Sequence, residues 1–184
     1  MRQPSLSPLC YAFTSQLDLS GNTLCGINPN TGEGTYTAEG IKAIADALKG
    51  NASMTSLNLS ENNLTDSGRD MTGITAISEA LKVTASMTSV NVLSNKLDVD
   101  SATILLKVKA EKPSLRTLCG LTHNETELNL RDLGPGDAKL LAAEILGMAS
   151  LTRLDVRYNY SMGDEGKAVL RKAAEGHSGF ELQL

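Results

Sequence analysis

Few residues of this 184-residue chain could do covalent or metal chemistry. They are His123, His177, Cys10, Cys25 and Cys119. A zinc site needs closely paired nitrogen and sulfur ligands, and a disulfide framework needs an even set of cysteines. The spacing here meets neither requirement. Nucleophilic catalysis needs a base within hydrogen-bond reach of the nucleophile. Neither histidine stands in such a pattern, so both read as structural. Cys119 has no base beside it in sequence and reads as a small buried residue. GDEGKAV (Gly163 to Val169) and GPGDAK (Gly134 to Lys139) each hold Gly and Lys, but without the spacing or the Ser/Thr of a phosphate loop. They read as helix starts with Asp164 and Asp137 as caps. The sequence predicts no catalytic residue, no metal and no cofactor. Recognition chemistry is better represented, by Arg131, Arg157 and Tyr158.

The element that must position those side chains is an internal repeat. Met54 to Leu64, MTSLNLSENNL, has apolar residues at positions 1, 4, 6 and 11 and Asn at 9. Met87 to Leu97 (MTSVNVLSNKL) and Thr14 to Leu24 (TSQLDLSGNTL) keep the strand leucine or valine pair and the Asn in register. Leu151 to Asn159 (LTRLDVRYN) opens another copy, and Phe180 to Leu184 (FELQL) is a truncated strand. Glu125 to Leu133 (ETELNLRDL) is degenerate, with Leu133 where Asn is expected. Leu57 and Leu59 alternate around Asn58, the period of a strand with one buried face. Asn62 follows where the chain turns inward. Its amide can donate to and accept from the backbone of adjacent coils, groups that cost roughly 1–3 kcal/mol each when buried unpaired. Asn22, Asn95 and Asn159 hold the same place, which predicts an asparagine ladder. A helical stretch follows each strand. In Gly40 to Leu48, Ile41, Ile44, Ala45 and Leu48 share one face; Gly73 to Leu81 repeats the spacing, and counterparts start at Ala102, Ala138 and Gly166. Strand, turn, helix, strand implies right-handed coils and a parallel sheet.

The unit L-x-x-L-x-L-x-x-N-x-L resembles the leucine-rich repeat family over nearly the whole chain. Strand anchors at Leu17, Leu57, Val90, Leu128, Leu154 and Leu182 are 40, 33, 38, 26 and 28 residues apart. The last two spacings resemble the ribonuclease-inhibitor-like subclass, which has a true helix per repeat. The resemblance implies an α/β leucine-rich repeat solenoid, a short horseshoe arc with a parallel β-sheet on its concave face and helices on its convex face. It predicts one domain over 1–184, of about five to six repeats, with insertions near 25–37, 65–72 and 115–124. Leu118 and Leu128 both have strand character but lie ten residues apart, too few to circle the solenoid. One must be an excursion, and the expectation favours Leu115 to Asn124. PSLSPLC (Pro4 to Cys10) echoes PSLRTLC (Pro113 to Cys119) 109 residues later, as a joint of a longer array would.

Positions 3, 5, 7 and 8 of each repeat should face the concave side. In the first two repeats they are mostly small and polar. Leu93 is an apolar residue at such a position, followed by Glu127, Arg131 and Asp132 in the fourth repeat and Arg153, Asp155, Arg157 and Tyr158 in the fifth. Strands about 4.8 Å apart would let Glu127 pair with Arg153 and would stack Arg131 on Arg157 as like charges, suited to an acidic guest. The competing expectation is a solvated lattice in which Asp132 and Asp155 neutralise the arginines. A second candidate surface is the 25–37 loop with Tyr36.

Composition narrows the function further. The net charge is 17 − 21 = −4 without a basic stripe, which argues against nucleic acid. Aromatics are 3% with no Trp, so the core must be aliphatic. No window approaches the ~20 apolar residues of a membrane span. The N-terminal MRQPSLSPLCYAF lacks the apolar run of a secretory signal, and the sequons at Asn51, Asn63 and Asn124 read as chance. The expected setting is intracellular, in the cytoplasm. The expected function is a non-enzymatic protein-interaction scaffold binding another protein through the concave face or the 25–37 loop. The alternatives are a regulator of a small GTPase, an activity some members of the resembled subclass have, and a structural segment of a larger array. The C-terminal edge strand, with Leu182 and Leu184, could self-associate.

Overall fold

The computed structural model describes residues 15–28, 31–177 and 179–184. The expected echo at Pro4 to Cys10 lies outside them. Strands and helices alternate: β1 (Gln16–Asp18), α1 (Glu39–Lys49), β2 (Ser56–Asn58), α2 (Thr72–Val83), β3 (Ser89–Asn91), α3 (Val99–Glu111), β4 (Glu127–Asn129), α4 (Pro135–Ile145), β5 (Arg153–Asp155), α5 (Gly163–Ala174) and β6 (Glu181–Gln183). All strand pairs are parallel and in register at the anchors, Leu17 to Leu57 to Val90 and Leu128 to Leu154 to Leu182. Each helix packs on the next along the array. Strands spaced 4.8 Å cannot keep step with helices spaced 8–10 Å, so the array arches with the sheet inside. This is the α/β solenoid that the repeat implied.

The core between the layers is aliphatic. Ile41, Ala45 and Leu48 of α1 and Ile74, Ile77 and Leu81 of α2 are buried against Leu57, Leu59, Val90 and Val92. The later helices begin three residues before their expected starts, at Val99, Pro135 and Gly163. Asp137 therefore lies inside the first turn of α4, where it still caps the helix by accepting from the Gly134 amide, whereas Asp164 makes no capping hydrogen bond to α5. At α3 the side-chain N-cap is Asp98, which accepts from the Ser101 amide at 2.7 Å.

The sheet is not continuous. It divides into β1–β2–β3 and β4–β5–β6. Beside β3 runs the segment 116–119: Val90 N donates to Thr117 O, Val92 N to Leu118 O and Gly120 N to Val90 O, at 3.0–3.1 Å. Leu115, Leu118 and Cys119 are buried. The expected excursion over 115–124 is thus corrected. Leu118 holds the register on β3, Leu128 holds it on β5, and β4 pairs only with β5. The physical reason is burial, since Leu115 and Leu118 are fully buried whereas Leu128 is only half-buried. The coils meet again beyond the strands, where Ser94 Oγ donates to Arg131 O and Gly136 N to Leu97 O. Gly136 is required there, because a Cβ would lie 2.0 Å from Asp98 O.

The asparagines link neighbouring coils. Asn95 Nδ2 donates to Leu59 O and Val92 O, while its Oδ1 accepts from Asn62 N and Leu64 N. Asn62 reaches Leu19 O and Leu24 N in the same way, and Asn159 reaches Leu130 O and Leu133 N. Among the described residues, the Asn22 side chain makes one exposed bond, to Ser20 O. At the degenerate fourth repeat Leu133 is buried, and the missing rung is supplied from α4. Asp137 Oδ2 accepts from Leu97 N at 2.9 Å and from Gly134 N at 2.8 Å. Its Oδ1 has no hydrogen-bond partner among the described residues. Burial pushes this carboxyl up to about 7, against the pull of the surrounding backbone amides.

Two expectations follow for stability. Asn95→Ala orphans several buried backbone groups and should cost about 3 kcal/mol or more, whereas Asn22→Ala should cost under about 1 kcal/mol. Urea denaturation of both variants checks this, and equal costs would refute the ladder. Asp137 binds its proton more tightly in the folded chain than in the unfolded one. Its contribution is therefore full below pH ~4 and is lost as pH rises to about 7. The loss is on the order of 4 kcal/mol. Asp137→Asn should remove that slope between pH 4 and 8; an unchanged slope would refute it.

Candidate functional site

The recognition residues predicted for the fourth and fifth repeats gather at the ends of β4 and β5. Asp155, the last residue of β5, is buried among arginines. Its Oδ1 accepts from the Arg157 amide at 3.0 Å and from Nε at 3.1 Å, and its Oδ2 from Arg157 Nη2 at 2.7 Å. Arg131 Nη1 lies 3.5 Å from Oδ1. Hydrogen bonds from Arg157 hold the carboxyl well below the usual carboxylate range. The two arginines do form a column, but Asp155 bridges them.

Tyr158 completes the cluster. The guanidinium carbons of Arg131 and Arg157 lie 5.6 and 5.9 Å from its ring centre, within cation–π range. The ring is nonetheless 65% exposed. Beside it, a hollow of about 300 Å³ is lined by Tyr160, Lys167 and Leu184. Two cations and one anion leave the cluster with one net positive charge and an aromatic plate facing outward.

The other expected site residues fall elsewhere. Leu93 is 3% exposed and belongs to the core, which corrects its placement on the open face. The chain crosses in front of β3 at Gly120, where a Cβ would lie 2.8 Å from Asn91 Cβ. Glu127 and Arg153 are register neighbours, but Arg153 turns instead to Glu181 at 4.0 Å and Gln183 at 3.1 Å. Asp132 is exposed and pairs with neither arginine. Tyr36 is half-buried: its hydroxyl donates to Leu64 O at 3.0 Å, pinning the 25–37 loop to the second coil. Burial raises its phenol and pushes the adjacent Cys25 thiol up to about 11. Within the loop, Ile27 and Gly34 form an isolated antiparallel bridge.

A second feature was not expected from the sequence. Where the sheet divides, a cleft of about 420 Å³ opens between the first sheet and residues 120–124. Its wall is anchored by Glu144 of α4, which is buried. Oε1 accepts from Leu118 N at 2.6 Å and from Lys109 Nζ at 2.8 Å. Oε2 accepts from Thr117 Oγ1 at 2.7 Å and faces His123 Nε2 at 3.5 Å. The one signal in sequence was an acid on the apolar face formed by Leu140, Leu141 and Ile145. Cys119 is buried in this region, and burial raises its thiol well above the ordinary value. Among the described residues, no group of three or more His, Cys, Asp or Glu could hold a metal ion. No helix among them is long and apolar enough to cross a membrane.

An arched array of strand–helix coils with side-chain rungs between them defines a parallel-sheet solenoid. The Leucine Rich repeat family profile matches residues 50–71 and 147–167, which span the Asn62 and Asn159 rungs. These matches support a leucine-rich repeat protein. A search of curated proteins gives no match.

Glu144→Ala leaves Lys109 and the Thr117–Leu118 donors without their buried acceptor. It should cost about 3 kcal/mol or more in urea unfolding, and a cost under about 1 kcal/mol would refute the anchoring role.

Proposed function

We propose that the chain is a non-enzymatic protein-interaction scaffold whose partner docks on the second sheet at Tyr158. The carrying observation is an aromatic ring with two guanidinium groups within cation–π range and still 65% exposed. Tyr and Arg are frequent energetic centres of protein interfaces, because each offers large area with a polar edge. The backbone beneath the ring is constrained. Tyr158 has φ 66°, a left-handed conformation that a bulky residue adopts at a cost. A constrained backbone loses little entropy when a partner covers it.

The same conformation supplies a clean test. Tyr158→Gly relieves the backbone strain and removes the plate, leaving Asp155 its arginines. The folded chain is immobilised, a lysate of the source cells is passed over it, and retained proteins are quantified. The variant should melt no lower than the wild type and should retain the partner at least tenfold less well. Equal retention, or no retained protein at all, would overturn the reading. Reversing Arg157 instead would confuse the result, because a glutamate there would face the buried Asp155.

A further inference from the structure

We infer that the cleft at the sheet division is a second recognition site, and that it takes an acidic peptide segment. The cleft lies against the first sheet, apart from the Tyr158 cluster on the second. Its lining includes Gln16, Ser56, Ser89, Arg116, His123 and Asn124. The chain carries 21 acidic residues against 17 basic ones, yet no carboxylate among the described residues lines this cleft. Arg116 is the formally charged group in that lining, while Glu125, just outside it, is turned to the Thr122 amide and hydroxyl.

Five polar side chains there are uncommitted. Arg116 is exposed and its guanidinium has no ion-pair or hydrogen-bond partner among the described residues. The same holds for the side-chain polar atoms of Gln16, Ser56, Ser89 and Asn124, in contrast to Thr55 and Thr88, whose hydroxyls are bonded to neighbouring carbonyls. Hydroxyl and amide groups both donate and accept, as an extended peptide backbone requires. A guanidinium supplies a forked pair of donors for a carboxylate. A phosphate group is better matched by several arginines or a nest of amides, and only one arginine is present.

The wall is built rather than incidental. His123 stands at φ 66° with its Nε2 facing Glu144, and Thr117 and Leu118 are tied to the same carboxylate. One buried acid thus fixes the strand floor and the loop wall together. Glu144 itself is buried, with its charge directed to Lys109, so it does not repel an anionic guest from the opening.

The peptide assignment rests on the protein-binding reading above; the anion preference of the cleft does not. The test uses the full chain, labelled with ¹⁵N, titrated with a hexaglutamate peptide, a hexaglutamine peptide and inorganic phosphate. Hexaglutamate should shift the amides of Ser56, Ser89, Arg116 and His123, and Arg116→Gln should weaken that binding at least tenfold while Tyr158→Gly leaves it unchanged. Arg116 is exposed, so the variant should keep its fold, which the unperturbed amides report. The inference is overturned if the shifts centre on Arg131 and Arg157, if Arg116→Gln has no effect, if hexaglutamine binds equally well, or if only phosphate binds.

Discussion

Neighbouring coils of this solenoid are joined where a side-chain oxygen of one accepts a backbone amide from the turn of the other, and everything else depends on those joints. The amides are those of Leu24, Leu64, Leu97 and Leu133. All sit where the chain turns from sheet to helix, with no strand partner within reach. A side-chain oxygen from the following coil accepts each one. In a quasi-one-dimensional array each coil contacts only its neighbours, so stability is close to a sum over such joints. Three joints use asparagine, which also donates back to the preceding coil. The fourth uses Asp137, which in its ionised form can only accept.

The joint without a return donor is also the joint where the sheet divides. Asp137 and Glu144 lie seven residues apart on α4, two turns, and so share a face. At one end of the helix Asp137 closes the turn of the third coil, and at the other Glu144 holds segment 116–119 against β3. Two buried acids on one helix thus take over what strand pairing does elsewhere. Such groups are costly to bury and are tolerated only when hydrogen bonds and partners surround them. Glu144 has four neighbouring donors, counting His123. Asp137 has two amides and an unpartnered oxygen, which is why burial acts on it so strongly.

The regular part of the fold was legible because it is written as a repeat. Leu57–Leu59 alternation, the Asn62 and Asn95 register and the Ile41–Leu48 face each report a local period, and local periods survive in a single sequence. The division of the sheet was not legible. Both Leu118 and Leu128 satisfy the strand pattern, and the pattern alone cannot show that each would find a different neighbour. Leu93 shows the same limit: its own repeat places it on the open face, whereas the folded chain buries it in the core. The Arg131–Asp155–Arg157 lattice was weighed against an open arginine column. It prevailed because a carboxylate between two guanidinium groups relieves their repulsion at no cost in distance. The cleft had no local signal at all, since its lining comes from five separate stretches of chain.

The left-handed column shows how such a fold leaves room for recognition. Gly21, Glu61, Ser94, Asp132 and Tyr158 stand at the same position of successive repeats, with φ between 56° and 66°. Their side chains have nothing in common, so the conformation is imposed by the turn and not by the residue. After Glu61, Ser94 and Tyr158 the next residue is an asparagine that holds the backbone through several hydrogen bonds, which together outweigh the roughly 1–3 kcal/mol that a non-glycine residue loses there. The backbone of this column is therefore held while the fold constrains the identity of its side chains weakly. An aromatic residue placed there presents its ring beside arginines that Asp155 already orients, and those need no further ordering to act with it.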